Sequence, residues 1–328
     1  MKKRLYILLL GLVAGITSCT DWLDVQPKTS IPVEKLFESE AGFKDVLTGF
    51  YLKMGQTNLY AKNLTYGYLD AISGNYDEFP GVMRWREIYD YDNTWSSVKD
   101  GVYTSMYNVI ANINNFLKYI DKNRSVIKTE KYYELMKGEA LGLRAFLHFD
   151  LLRLYGPVYS VTPTGKAIPY RTSFDQKATP VLPAEKVIEH ILTDLHEADS
   201  LLEISDPKNF DLPEYYSKDY NAFEDSRQLR MNTCAVKAML ARVYCYKGDA
   251  ESKRKALTYA YDVVESNYFA LYEDNSNPVL FAEHIFGLNV YELDKLLEDE
   301  GNYKTRIPEG QLSDGVYIMR TKANFDEH

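Results

Sequence analysis

Lys137 to Tyr159 reads KGEALGLRAFLHFDLLRLYGPVY, and the fold is read outward from this stretch. Gly138 to Tyr155 has the pattern of a single helix. Leu141, Ala145, Phe149 and Leu152 recur at helical spacing on one face, and Leu143, Leu147, Leu151 and Leu154 on another. A helix apolar on two faces is covered on two sides, so the rest of the chain must wrap it. Gly138 and Gly142 lie one turn apart and are expected to let a neighbouring backbone come close. His148 falls inside the apolar span and is read as a satisfied core histidine, not a ligand. Gly156 and Pro157 stop the helix.

Outward from this rod, the chain has 328 residues, enough for one large domain or two ordinary ones. Thirty-eight basic against 47 acidic residues leave a net charge of -9, which argues against nucleic acid as the main partner. Of the aromatic residues, 28 are tyrosines, a residue suited to half-wet contact surfaces.

The first 18 residues read as a secretory signal peptide, with Lys2, Lys3 and Arg4 ahead of an apolar run from Leu5 to Val13 that is too short to span a bilayer. Ile16-Thr17-Ser18-Cys19 stands where a bacterial lipoprotein has Leu-Ala-Gly-Cys. Lipidation at Cys19 would anchor the mature chain to a membrane; the alternative is an ordinary signal peptide with an incidental cysteine. Residues 19–39 then form the lipidated N-terminus and a polar tether. Cys234 and Cys245 lie eleven residues apart on one predicted helix, about 16 Å along its axis, too far for a disulfide. Both are expected to be free and buried. No metal-ligand spacing is present, and no cofactor is expected.

Further helices are predicted over Glu40–Met54 with Ser39 as N-cap, Val98–Ile120, Pro183–Leu202, Cys234–Lys247 and Ser252–Ser266, the central helix starting near Glu130. Asn108, Asn112 and Asn115 form a polar row on the second of these, either a solvated face or, as favoured here, a ladder against a loop. Cys234, Ala238, Ala241 and Cys245 form a small-residue stripe suited to close helix packing. Ala256, Tyr259, Ala260, Val263 and Val264 are assigned to the inward face of the last helix. With the turn at Gly248-Asp249, the last two helices have the marks of a tetratricopeptide-like hairpin, and a stack of such pairs is an α-solenoid. The fold class is therefore mostly α, a solenoid of helical hairpins with long loops and short strands near the C-terminus, such as Ile285–Tyr291 and Gly315–Met319. Residues 40–272 make the helical domain, and 273–328 the start of an incomplete C-terminal section.

Two stretches break the helical period: Asn58 to Thr94, and Ile204 to Arg227. The first is crowded with tyrosines and acids and reads as loops and short helices rather than core. Long aromatic loops in a compact domain are usually functional. An aromatic ring can stack on the C–H face of a sugar, while Asp, Glu, Asn and Arg bond its hydroxyl rim. The segment from Asn58 to Trp95 interleaves both kinds of side chain, each of which could instead pack against the scaffold or cap a loop. No catalytic residues are nominated.

On these segments the chain resembles the SusD/RagB family of outer-membrane nutrient-binding lipoproteins. CTDWLDVQP after the signal, GEALGLRAFLHFDLLRLYGPV, VIEHILTDLHEADSLL and MNTCAVKAMLARVYCYKGD stand in the family's order. The resemblance implies a surface lipoprotein of the outer membrane that holds a glycan or other nutrient over a TonB-dependent, SusC-like transporter, and is not an enzyme. It also implies the candidate ligand-binding residues: Asp77 and Glu78 in a loop ahead of the region that supplies stacking aromatics, Trp85 and Trp95 within that region, and Arg84 beside them. Family members usually continue well past the point where this chain stops. Two other readings stand beside it: a tetratricopeptide-like scaffold that binds protein without a glycan site of its own, and a glycosidase using paired carboxylates.

Overall fold

A computed structural model describes residues 33–65, 67–72, 93–210, 220–271 and 281–290. Its helices follow the chain as α1 (Val33–Leu36), α2 (Glu40–Met54), α3 (Tyr68–Ile72), α4 (Asn93–Lys122), α5 (Tyr132–Tyr155), α6 (Ala184–Ser205), α7 (Thr233–Lys247) and α8 (Ala250–Val264). Between α5 and α6, β1 (Lys166–Pro169) and β2 (Val181–Pro183) pair antiparallel. The mostly α class is observed.

Local chemistry sets the helix ends. Ser39 is extended, and its hydroxyl accepts from the Gly42 amide at 3.1 Å to start α2. Asn232 caps α7 through the Ala235 amide, and Asp249 caps α8 through Ser252. Between these last two, Gly248 closes α7 at φ 82°, where a side chain would be strained. Pro183, predicted as the first residue of its helix, instead ends β2 and precedes α6.

Helix packing runs in chain order: α2 on α4, α4 on α5, α5 on α6, α6 on α7 and α7 on α8. This is the stacked-hairpin arrangement, and α5 lies at its centre. Leu141, Ala145, Phe149 and Leu152 are all buried, as are Leu143, Leu147 and Leu151; Leu154 is half-buried. Each fully buried leucine contributes about 1.5–3 kcal/mol relative to exposure, so the helix is stabilised by its neighbours. The two glycines admit side chains rather than a backbone. A Cβ on Gly138 would sit 2.7 Å from Leu202 Cγ of α6, and one on Gly142 would sit 2.6 Å from Met231 Cγ ahead of α7.

Several expectations are corrected. Ile285–Val290 is not a strand: a short turn at Phe281–Glu283 leads into irregular chain, held by Gly287 N–H to Gln228 O at 2.8 Å and by the Asn232 amide to Ile285 O at 2.7 Å. Tyr291 and the proposed strand at Gly315–Met319 lie outside the described residues. Leu59, Ala61 and Leu64 are buried, so the start of the tyrosine-rich stretch, which runs as turns, belongs to the core. Cys245 is exposed, and only Cys234 is buried. Both cysteines are free, as expected.

The small-residue stripe therefore opens to solvent toward the end of α7. On α8, Val263 is buried, but Ala260 and Val264 face outward, beside Leu257 and Tyr261. Asn112 donates to the Asn108 carbonyl at 2.6 Å and Asn108 accepts from Lys53 of α2 at 2.9 Å, while Asn114, outside the predicted row, donates to the Arg171 carbonyl of a loop at 3.0 Å. The hairpin of β1 and β2 had no clear sequence signal, because the strands are only four and three residues long.

Candidate functional site

Glu139, Arg144 and His148 sit inside the apolar span of α5 and anchor two networks, one at Glu139 and one that joins Arg144 to His148. Glu139 is fully buried. It accepts from Arg227 at 2.8 Å, from Arg230 at 3.1 Å and from the Tyr51 hydroxyl at 2.7 Å. Burial alone would raise its carboxyl, but Arg230 and Arg227 outweigh it and hold the group below the ordinary range. Arg144 grips Asp194 through Nε and Nη2 at 2.6 and 2.7 Å and donates to Asn114 at 2.9 Å.

His148 donates from Nδ1 to the Arg144 carbonyl at 2.9 Å and accepts at Nε2 from the Arg171 amide at 3.1 Å. Its ring stacks on Tyr170 at 3.9 Å. Both nitrogens are satisfied by the neutral ring, and burial lowers its pKa to about 3. The histidine is a core residue, as expected. These networks hold the frame.

On the side of α5 turned away from Arg144 and His148, two adjoining cavities open. The first, about 750 Å³, lies between Tyr60 and Thr65 on one wall and residues 283–290 on the other, with Phe146, Ala238 and Arg242 beneath. The second, about 550 Å³, is lined by Leu69 and Ile72 of α3, by Asp150 and Arg153 of α5, and by Tyr246 of α7. Phe146 and Arg242 line both. Aromatic geometry is set by packing: the Phe146 ring lies 5.5 Å from that of Tyr60 and meets Phe286 edge-on at 5.7 Å. Tyr60 donates to Asp150 at 2.8 Å. Burial raises the Asp150 carboxyl, against the pull of that hydroxyl, Arg153 and Arg242. The cavities thus offer ring faces, two guanidinium groups and a hydroxyl–carboxylate pair, a mixture that can hold a partly apolar, partly hydroxylated molecule.

Asp77, Glu78, Arg84 and Trp85 lie outside the described residues, as does Cys19. Trp95 falls on the first turn of α4; its side chain is outside the described set. Leu69 and Ile72, which line the second cavity, belong to the helix just before residues 73–92. The cavity residues Phe146, Asp150 and Arg242 were not nominated from sequence. Asp150 and Arg153 share α5 with Glu139, Arg144 and His148, so a polar side chain within that apolar pattern did not single out the cavities.

Comparison with known proteins gives the frame its family. Residues 21–245 match the SusD-like family model described as starch-binding and associating with the outer membrane. The chain belongs to the SusD-like family. A curated relative, SusD-like protein P38 of Formosa agariphila, is 24% identical over 332 residues, spanning all of this chain and 55% of its own length. Among solved structures, a SusD homologue from Bacteroides thetaiotaomicron superposes with a TM-score of 0.57 at 24% identity, over 76% of this chain and 45% of that one. A SusD-like carbohydrate binding protein from Bacteroides vulgatus superposes with a TM-score of 0.52 at 20% identity, over 72% and 46%. These superpositions support the helical fold. The chain spans about half the length of the SusD-like relatives it matches. Among the described residues, no helix is long and apolar enough to cross a membrane.

Proposed function

We propose that this SusD-like chain is an outer-membrane lipoprotein, anchored through Cys19, that holds a glycan and presents it to a TonB-dependent transporter. The observation that carries the reading is the adjoining pair of cavities at the foot of the tyrosine- and tryptophan-rich stretch, in a chain whose family is described as starch-binding. Aromatic faces at Phe146 and Tyr60 would meet the C–H side of a sugar ring. Arg242, Arg153 and Asp150 would bond its hydroxyl groups, and Asp77, Glu78, Arg84, Trp85 and Trp95 are proposed as further ligand contacts on sequence grounds. Two structurally similar proteins of Bacteroides vulgatus, one described as a SusD-like carbohydrate binding protein and the other as a putative sugar binding protein, support the ligand class. Residues 40–272 serve as the helical unit that carries the site.

Binding without turnover is the proposed activity. The carboxylates lining the two cavities, Asp150 and Glu283, belong to different cavities, and Asp150 already accepts from Tyr60. A retaining or inverting hydrolase needs two carboxyls facing one glycosidic bond. The test is a binding screen of the full chain against soluble polysaccharides with product analysis. Retention without product supports the reading; released oligosaccharide overturns it in favour of hydrolysis. Palmitate labelling of the wild type and of Cys19→Ala tests the anchor.

A further inference from the structure

On the other face of α5 lies a third cavity that the reading above does not use. Lys137, Leu141 and Arg144 line it. Phe146, Asp150 and Arg153 line the first two. At 100° per residue these two sets point about half a turn apart. This cleft measures about 550 Å³ and is walled by α4 at Asn114, Lys118 and Asp121, by α6 at Glu197, and by Thr172 to Phe174 of the hairpin loop.

Two features mark it as built. The first is Phe174, which keeps 51% of its surface exposed on a loop fastened at both ends. Asn114 donates to the carbonyls of Arg171 and Ser173 at 3.0 and 3.4 Å. The Arg171 guanidinium reaches across to the carbonyls of Asp175 and Lys177 at 2.8 and 3.3 Å. The Arg171 amide is held by His148 at 3.1 Å. A bare phenyl ring on a pinned loop is an apolar platform held in place before anything binds, which lowers the entropy cost of contact. The second feature is a prearranged row of donors and acceptors. Lys137 bridges Asp121 and Glu197 at 3.1 and 3.3 Å, and both carboxylates keep about half their surface open. Each carboxylate has lone pairs to spare for a hydroxyl.

Charge narrows the ligand. Lys118, Lys137 and Arg144 face Asp121, Glu197 and Asp194, and Arg144 is consumed by Asp194. The signs balance, so the cleft supplies no net attraction for a carboxylate or sulfate. We propose that it is a second glycan-contacting site, taking an uncharged sugar ring, with Phe174 against the C–H face and Asp121, Glu197 and Lys137 bonding the hydroxyl groups. It stands independently of the cavities at Phe146.

The test is photoaffinity labelling of the full chain. The probes are diazirine-bearing oligosaccharides of glucose, xylose, mannose and galactose, and the crosslinked peptides are mapped by mass spectrometry. At least one neutral probe should label peptides spanning 114–121 or 171–177. Labelling should fall about tenfold in Phe174→Ala and in Glu197→Gln, both surface changes whose melting curves serve as the folding control. Oligogalacturonate should not compete. No labelling of these peptides by any of the four probes overturns the proposal. So does labelling indifferent to both substitutions, or equal competition by oligogalacturonate. A Trp85→Ala, Trp95→Ala protein is run alongside. Its labelling at 114–121 and 171–177 should persist; loss there would assign both signals to one site and overturn the second. If only the first-site reading is wrong, the cleft signal stays and the double variant binds like wild type.

Discussion

Arg144 holds Asp194 through two parallel hydrogen bonds, at 2.6 and 2.7 Å, with both side chains almost wholly removed from water. The pair joins α5 to α6 at the centre of the stack. Removing one partner strands a buried charge, which costs about 3–5 kcal/mol. Arg144→Met should destabilise the protein by that order in urea denaturation. Arg144→Lys should recover little, because an ammonium cannot match the planar two-point geometry. Arg144→Met with Asp194→Leu should recover much of the loss. If the single and double variants melt alike, the pair is not the source.

His148 gives a pH dependence with a defined sign. Its folded pKa, lowered by burial to about 3, stands below the 6.5 of the free side chain. Between those values the unfolded chain binds a proton that the folded one refuses. Stability is therefore full above about pH 6.5 and falls as pH drops toward 3, by up to about 1.4 kcal/mol per unit. Urea midpoints measured from pH 7.5 to 4.5 should decline, and His148→Gln should flatten part of that slope. An unchanged slope in the variant would show that the ring is not the titrating group. Glu139 acts in the same direction, since its carboxyl is held below its ordinary value.

Gly142→Ala should destabilise despite the better helix propensity of alanine. The added methyl would meet Met231 Cγ at 2.6 Å and Val236 Cγ2 at 3.2 Å. Overpacking costs about 1–3 kcal/mol, against about 1 kcal/mol gained in the helix. A lowered midpoint by calorimetry is the expected result; a raised one would mean that Met231 moves aside freely.

The two helix cysteines should differ in reactivity. Cys245 is exposed, while Cys234 is buried, and burial pushes its thiol up to about 11. A thiol reagent at pH 8 should label Cys245 rapidly and Cys234 only on unfolding. Cys245→Ser should remove the fast phase alone.

At the proposed glycan site, Trp85→Ala with Trp95→Ala should weaken binding of the retained polysaccharide at least tenfold and leave the melting temperature within a few degrees. Phe146→Ala should weaken it as well. Binding indifferent to all three would remove the site from this end of the stack.

The helices were legible because their signal is periodic. α2 was read to the residue, and α5, α6 and α7 to within a few residues, since buried apolar side chains recur every three or four positions. The burial of both rows of α5 was legible for the same reason. What could not be read were relations without a period. Asn114 differs from Asn112 and Asn115 only in pointing at a loop. The contact of Ile285 with Asn232 depends on where the chain returns. Phe146 and Arg242 line a cavity because α7 lies beside α5, and no spacing in either helix records that.

Each helix rests on the one made before it, so most of this frame can assemble as the chain is synthesised, one pair at a time. One clasp cannot. The Tyr51 hydroxyl accepts from the Met231 amide, across 180 positions, while donating to Glu139. Arg227, between them, is fully enclosed and bonds both Glu139 and Asp206. This knot closes only after α6 has been laid down and the following loop has come home. The stack is thus quick to begin and slow to lock, and Tyr51→Phe would leave a chain that still gathers its helices in order but lacks the fastening that ties its beginning to its later turns.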